Sequence, residues 1–204
     1  MKKLTYIFLF LITLSATGFT KDPEKSGSKI GIVINDFSLR STDNSFVSLN
    51  KFPDAKGFIV VFTCNHCPFA KLYSQRFNDL NTKYKKSGVP FLAINSMDTA
   101  MYDEERFELL QEKAKTDQFN FPYLMDADQS VGKNFNAEHT PHAFVIWREN
   151  NNWVVKYSGA IDDNGEHPEL ATSFIGNAVD NLLAGKPVAS PETQSFGCRI
   201  YYRK

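Results

Sequence analysis

Neither sign of charge is in excess in this 204-residue chain: 23 basic and 23 acidic side chains cancel at neutral pH. With no basic surplus to hold a phosphate backbone, nucleic acid is excluded as a partner. Internal repeats and low-complexity tracts are also missing, and 42% hydrophobic with 23% charged residues is the composition of a soluble globular protein. The longest apolar run, Leu4 to Leu14, is interrupted by Thr5, Tyr6 and Thr13 and is too short to span a bilayer comfortably. No cysteine lies near its end, which removes lipid attachment there. Cysteine itself is scarce. Only Cys64, Cys67 and Cys198 occur, with neither the second C-x-x-C nor the paired histidines that a structural zinc site needs. An odd number leaves one thiol free, exchanging or metal-bound.

What is present starts with Lys2-Lys3, the apolar run, and then the small residues Ser15, Ala16, Thr17 and Gly18. Basic, apolar, small is the order of a secretory signal, and a retained anchor is the alternative. The expected layout is a signal over 1–20, a solvated linker over 21–28, one domain over 29–190 and a tail over 191–204 that carries Cys198. The expected location is the periplasm or the outside of the cell, with no membrane span in the mature protein. Eighteen phenylalanines point to a Phe-rich core.

Gly57 to Phe62 is a short, apolar, β-branched run, the pattern of a buried strand. It leads directly into Cys64-Asn65-His66-Cys67-Pro68. Beyond Pro68, residues Phe69, Tyr73, Phe77, Leu80 and Tyr84 recur at helical spacing, so one helix with a core-facing stripe is expected up to Ser87-Gly88. Val89 to Ile94 is the next buried strand, parallel to the first. Further helices are expected at about Asp103 to Lys115, Gln129 to Phe135 and Leu170 to Leu183, with a short extended piece at Tyr123 to Met125. Strands His142 to Trp147 and Trp153 to Tyr157 flank an Asn150-Asn151-Asn152 hairpin turn. The order predicts an α/β fold: a mixed sheet with helices on both faces.

A cysteine at a helix start meets unpaired N–H groups and the positive end of the helix dipole, which favour thiolate. A second cysteine three residues away can close a disulfide with it. His66, between the two, is placed to stabilise the thiolate and so favour an oxidising protein. A solvated loop residue is the plainer reading of His66, as half a zinc site or a structural disulfide is of the cysteine pair.

The strand–Cys-x-x-Cys-Pro–helix unit and the Thr140-Pro141 turn before a hairpin resemble the thioredoxin superfamily. The segment Gly31 to Asn50, with Asp36-Phe37-Ser38-Leu39, is similar to the opening of its redoxin branch, which includes alkyl hydroperoxide reductases and thiol-specific antioxidant proteins. Cys64-Asn65-His66-Cys67-Pro68, Gly159-Ala160-Ile161-Asp162-Asp163-Asn164, Gly185-Lys186-Pro187-Val188 and Phe196-Gly197-Cys198-Arg199-Ile200 resemble the marks of one bacterial subfamily. The resemblance implies a three-layer thioredoxin-like fold with an N-terminal redoxin extension and a cis Pro141 packed against the reactive pair. It also implies that Thr140 offers its backbone to an incoming peptide.

Two departures separate the chain from peroxiredoxins. Their P-x-x-x-T-x-x-C threonine has no counterpart, since Thr63 directly precedes Cys64, and Pro141 stands where they carry an arginine. In thioredoxin-like proteins an aromatic residue stands five before the nucleophile. Phe62 stands five before Cys67, which favours Cys67 as the attacking sulfur and Cys64 as its partner, against the usual convention. Cys198 reads as a resolving or partner thiol, or as a buried small hydrophobe. Asp162-Asp163 reads as a turn, because adjacent carboxylates in a strand face opposite ways.

Three functions follow. First comes an exported thiol–disulfide oxidoreductase that cycles Cys64 and Cys67 with protein thiols and a thiol electron donor, supported by His66, Pro68, Thr140 and Pro141. Such exchange needs only paired, exposed thiols and no cofactor. Second is a thiol peroxidase acting on hydroperoxides. Third is a Cu(I)-binding metallochaperone using Cys64, Cys67 and His139 or His142, although the related copper proteins space their cysteines by three residues.

Overall fold

The computed structural model describes residues 27–204. The expected signal over 1–20 and most of the expected linker over 21–28 lie outside the described residues. Ten strands, β1 Val33–Ile34, β2 Leu39–Ser41, β3 Phe46–Val47, β4 Gly57–Phe62, β5 Phe91–Asn95, β6 Tyr123–Met125, β7 His139–Thr140, β8 His142–Glu149, β9 Asn152–Gly159 and β10 Cys198–Arg199, are found among them. The helices are α1 Pro68–Lys71, α2 Ser74–Tyr84, α3 Phe107–Thr116, α4 Ser130–Phe135 and α5 Phe174–Leu183.

Eight strands form one mixed sheet in the order β1-β9-β8-β4-β5-β6-β2-β3. As the apolar runs predict, β4 and β5 are parallel and buried on both faces, with Ile59 opposite Phe91 and Phe62 opposite Ile94. The short piece at Tyr123 is a full sheet member, parallel to β5. The redoxin-like segment supplies both edges: β1 pairs with β9, while the β2–β3 hairpin pairs with β6. Asn150 and Asn151 turn β8 into β9 with φ of 48° and 65°, left-handed values that asparagine tolerates.

Alternation along the strands builds two cores. Phe58, Val60 and Phe62 face Val131 and Phe135 of α4, together with Trp153 and Ile200. Ile59 and Val61 face Phe77 and Tyr84 of α2, Leu110 of α3, and Ile175 and Val179 of α5. Helices thus cover both faces, and the phenylalanines are largely core.

Three helices differ from their expected extent. The first breaks at Leu72-Tyr73, where the N–H groups of both residues bond three positions back rather than four. Tyr73 Oη donates to Asp162 Oδ1 and Arg76 pairs with the same carboxylate, so tertiary anchoring sets the kink. Phe69 is therefore not in the core stripe: it is 47% exposed, edge-on to Phe196. The Asp103 helix is a 3-10 turn, Asp103–Glu105, separated from α3 by an extended Arg106 with ψ of 146°. The last helix starts only at Phe174, capped by Ser173 Oγ, which accepts from Gly176 N at 3.0 Å. Leu170 is left exposed in a separate turn opened by Pro168.

Candidate active site

β4 delivers the chain to the loop of residues 63–67, and Thr63 N still donates to Ile94 O at 2.9 Å. Cys67 is then the N-cap residue of α1, with Pro68 at the first helical position, where its missing N–H costs nothing. From the other side, β7 brings Thr140 against both sulfurs, and the Thr140-Pro141 bond is cis. Cys64 Sγ lies 3.0 Å from Thr140 Oγ1, and the Cys67 thiol is 3.1 Å from the Thr140 carbonyl. The structure thus brings Cys64, Cys67, Pro68, Thr140 and Pro141 together.

The three thiols are free, but the pair is not exposed: Cys64 and Cys67 are both 0% accessible. What covers them is the C-terminal segment. β10 pairs antiparallel with β7, setting Cys198 opposite Thr140, and Cys198 N donates to Cys67 Sγ at 3.4 Å. Residues 191–204 are accordingly a built part of the domain. Ile200 N donates to Glu138 O at 2.8 Å, Tyr202 Oη to Ala137 O at 2.7 Å, and Arg203 N to Gln129 Oε1 at 2.8 Å.

The two sulfurs of the pair are driven apart electrostatically. Cys67 is pushed down to about 4, first by a hydrogen bond from the Cys64 thiol, then by donors from Cys198 and the Ala70 N–H. These outweigh its burial. Cys64 is pushed far up, first by that same bond to Cys67, next by burial, then by the charge of Glu105. The two thiols titrate as a pair, and the donors gathered at Cys67 favour the thiolate there.

Glu105 is the residue that sequence reasoning missed. It is 0% exposed beneath the loop and accepts from Asn65 N at 3.0 Å, His66 N at 2.9 Å and Asn95 Nδ2. His66 Nδ1 lies 2.7 Å from its Oε1, and the imidazole stacks on Tyr102 with centroids 4.1 Å apart. His66 is thus turned to Glu105 and grouped with Cys64, whose sulfur lies within 4.8 Å of both side chains' ligand atoms. No pattern marks Glu105, because Asp103-Glu104-Glu105 reads as an ordinary acidic helix start.

The other histidines point elsewhere. His142, buried and pushed down to about 3 mainly by desolvation, accepts from Glu138 N and meets Ser158 Oγ at 3.0 Å. His139 meets Ser195 Oγ at 3.0 Å. The set proposed for a soft metal, two cysteines with His139 or His142, is therefore not assembled. Among the described residues Cys64, His66 and Glu105 are the group with ligand spacing. Asp162 is buried against Arg76 and Tyr73 while Asp163 faces solvent, as their adjacency requires.

Residues 30–162 match the AhpC/TSA family. The chain belongs to that family. The match ends before β10 and Cys198, which this AhpC/TSA protein adds beyond it. It is 31% identical to a hypothetical protein from Sinorhizobium meliloti, with a TM-score of 0.77, covering 85% of this chain and 94% of that one. An uncharacterized conserved protein from Geobacillus kaustophilus gives the same identity and TM-score, over 85% of this chain and 92% of that one. A peroxidoxin from Mycobacterium tuberculosis, at 17% identity and a TM-score of 0.56 over 78% of this chain and 96% of that one, shares the thioredoxin-like fold. No match was found among curated proteins.

Proposed function

We propose that this AhpC/TSA protein is a thiol–disulfide oxidoreductase acting outside the cytoplasm, with Cys67 as the attacking thiolate and Cys64 as its partner. The observation that carries the reading is the setting of Cys67 at the N-cap of α1 beside Cys64, where the Cys198 N–H donates to its sulfur at 3.4 Å and the surrounding donors push its thiol down while that of Cys64 is pushed up. A thiolate beside a protonated partner is what exchange requires. Cys67 attacks one sulfur of a disulfide, forming a new S–S bond, and the other sulfur leaves. Cys64 then attacks Cys67, and the second leaving thiolate takes up the Cys64 proton. The substrate is reduced by two electrons and the pair is oxidised. Pro68 and Thr140 position Cys67, Pro141 packs beside the pair, and His66 with Glu105 holds the loop. Export rests on the Lys2-Lys3 and apolar-run pattern of the leader.

The test offers the reduced protein a limiting disulfide-bonded protein or a limiting hydroperoxide, with thiols trapped and weighed by mass spectrometry. Disulfide is expected to be consumed faster, and Cys67→Ser should be inert. Faster consumption of hydroperoxide, with a sulfenic acid on Cys67, would replace this reading with a thiol peroxidase.

A further inference from the structure

The third cysteine comes to the same point as the pair. Cys198 stands opposite Thr140 across the β7–β10 pairing, and its amide donates to the Cys67 sulfur at 3.4 Å. The strand that carries it is pressed onto β7 at close range. Gly197 has φ of +131°, and a Cβ there would lie 2.2 Å from the Thr140 carbonyl oxygen, so only glycine brings β10 in this far. Downstream, Ile200 is buried in the core and holds the strand in register. Cys64 and Cys67 are fully enclosed, whereas Cys198 is partly exposed. Burial and the adjacent Cys67 sulfur push the Cys198 thiol up to about 12, and the part due to the Cys67 charge vanishes once that sulfur enters a disulfide.

We propose that Cys198 is a third catalytic thiol, competing with Cys64 for the Cys67 sulfur, so that the oxidised protein carries either a Cys64–Cys67 or a Cys67–Cys198 disulfide. The proposal rests on the exchange reading above. Starting from a mixed disulfide, Cys198 attacks Cys67, the bond to the substrate sulfur breaks, and the departing thiolate takes the Cys198 proton. Starting from Cys64–Cys67, the same attack releases Cys64, which takes that proton, and no electrons are gained or lost. The second disulfide includes a partly exposed residue, through which an outside thiol has access without opening the core. Cys198 is thereby the port through which the enclosed pair exchanges with its electron donor.

The experiment uses glutathione disulfide as the probe on the reduced full chain, with rapid alkylation and peptide mapping. In Cys64→Ser, two glutathiones should be released per protein and a Cys67–Cys198 cross-link should form. The Cys64→Ser/Cys198→Ser double variant should stop after one glutathione and stay glutathionylated at Cys67. Wild type needs no substitution: its oxidised form should yield both cross-linked peptides. Persistent glutathionylation of Cys67 in Cys64→Ser, or a wild type with Cys64–Cys67 alone, overturns the proposal and leaves the exchange reading standing. A Cys67 that no variant lets react with the probe brings down the exchange reading itself.

Discussion

The Nδ1 of His66 lies 2.7 Å from Oε1 of Glu105, a carboxylate with no solvent exposure. That carboxylate also takes the backbone N–H groups of Asn65 and His66, so one buried acid holds three donors of the cysteine loop. Its charge bears on Cys64, and its removal should be felt both in the fold and in the thiol.

Glu105→Ala leaves those donors enclosed without a partner and is expected to cost about 3 kcal/mol of stability. Glu105→Gln keeps the size and removes the charge, so the Cys64 thiol should ionise at lower pH than in the wild type. Urea unfolding measures the first effect, and the rate of Cys64 alkylation at alkaline pH, followed by peptide mapping, measures the second. An unchanged Cys64 rate in Glu105→Gln would remove Glu105 from the electrostatics of the pair.

Cys67 ties stability to pH in the reduced protein. Its folded value, about 4, lies below the ordinary thiol value of 9.0. The stabilisation is therefore complete above pH 9 and is lost as pH falls towards 4. Relative to Cys67→Ser, the reduced wild type should gain stability steadily between those limits. Parallel curves for the two proteins in denaturant series would contradict the assignment of the thiolate to Cys67.

Gly197→Ala should lift β10 from β7, because the new methyl group has no room beside Thr140 O. Once Cys198 withdraws, Cys67 loses its cover, and alkylation of the reduced protein by a bulky maleimide should accelerate. The readout is the rate at Cys67 by peptide mapping. An unchanged rate would mean that β10 does not shield the thiolate.

Arg76 meets Asp162 from inside the domain, with side chains 14% and 4% exposed, and also donates to the carbonyls of Asn164 and Gly165. Arg76→Ala strands a buried carboxylate and is expected to cost about 3–5 kcal/mol. Arg76→Met with Asp162→Asn should recover much of that loss. Chemical denaturation of the two variants decides, and equal losses would show that Asp162 tolerates isolation.

Short-range chemistry was legible along the chain. The β4 and β5 runs, the Cys64–Pro68 turn, the Thr140-Pro141 junction and the paired asparagines each carry their conformational reason in neighbouring residues. Phe69 and Leu170 misled because helical spacing says which residues share a face, not whether the helix continues. Tyr73 and Arg76 end the first turn by reaching Asp162, which lies almost ninety positions away. Arg106 breaks the next helix and drops Glu105 into the core.

The sequence by itself determined the layered α/β class, the Cys64-x-x-Cys67 pair and the helix start beside it, because those rest on periodicity and on groups a few residues apart. Tertiary structure alone decided that the pair is enclosed, that an acid from an unremarked turn holds the loop, and that Cys198 closes over Cys67 from 131 positions downstream. The physical reason is distance along the chain: burial, charge and a third sulfur act through space, and only the folded sheet brings β10, the Glu105 turn and α1 to one point.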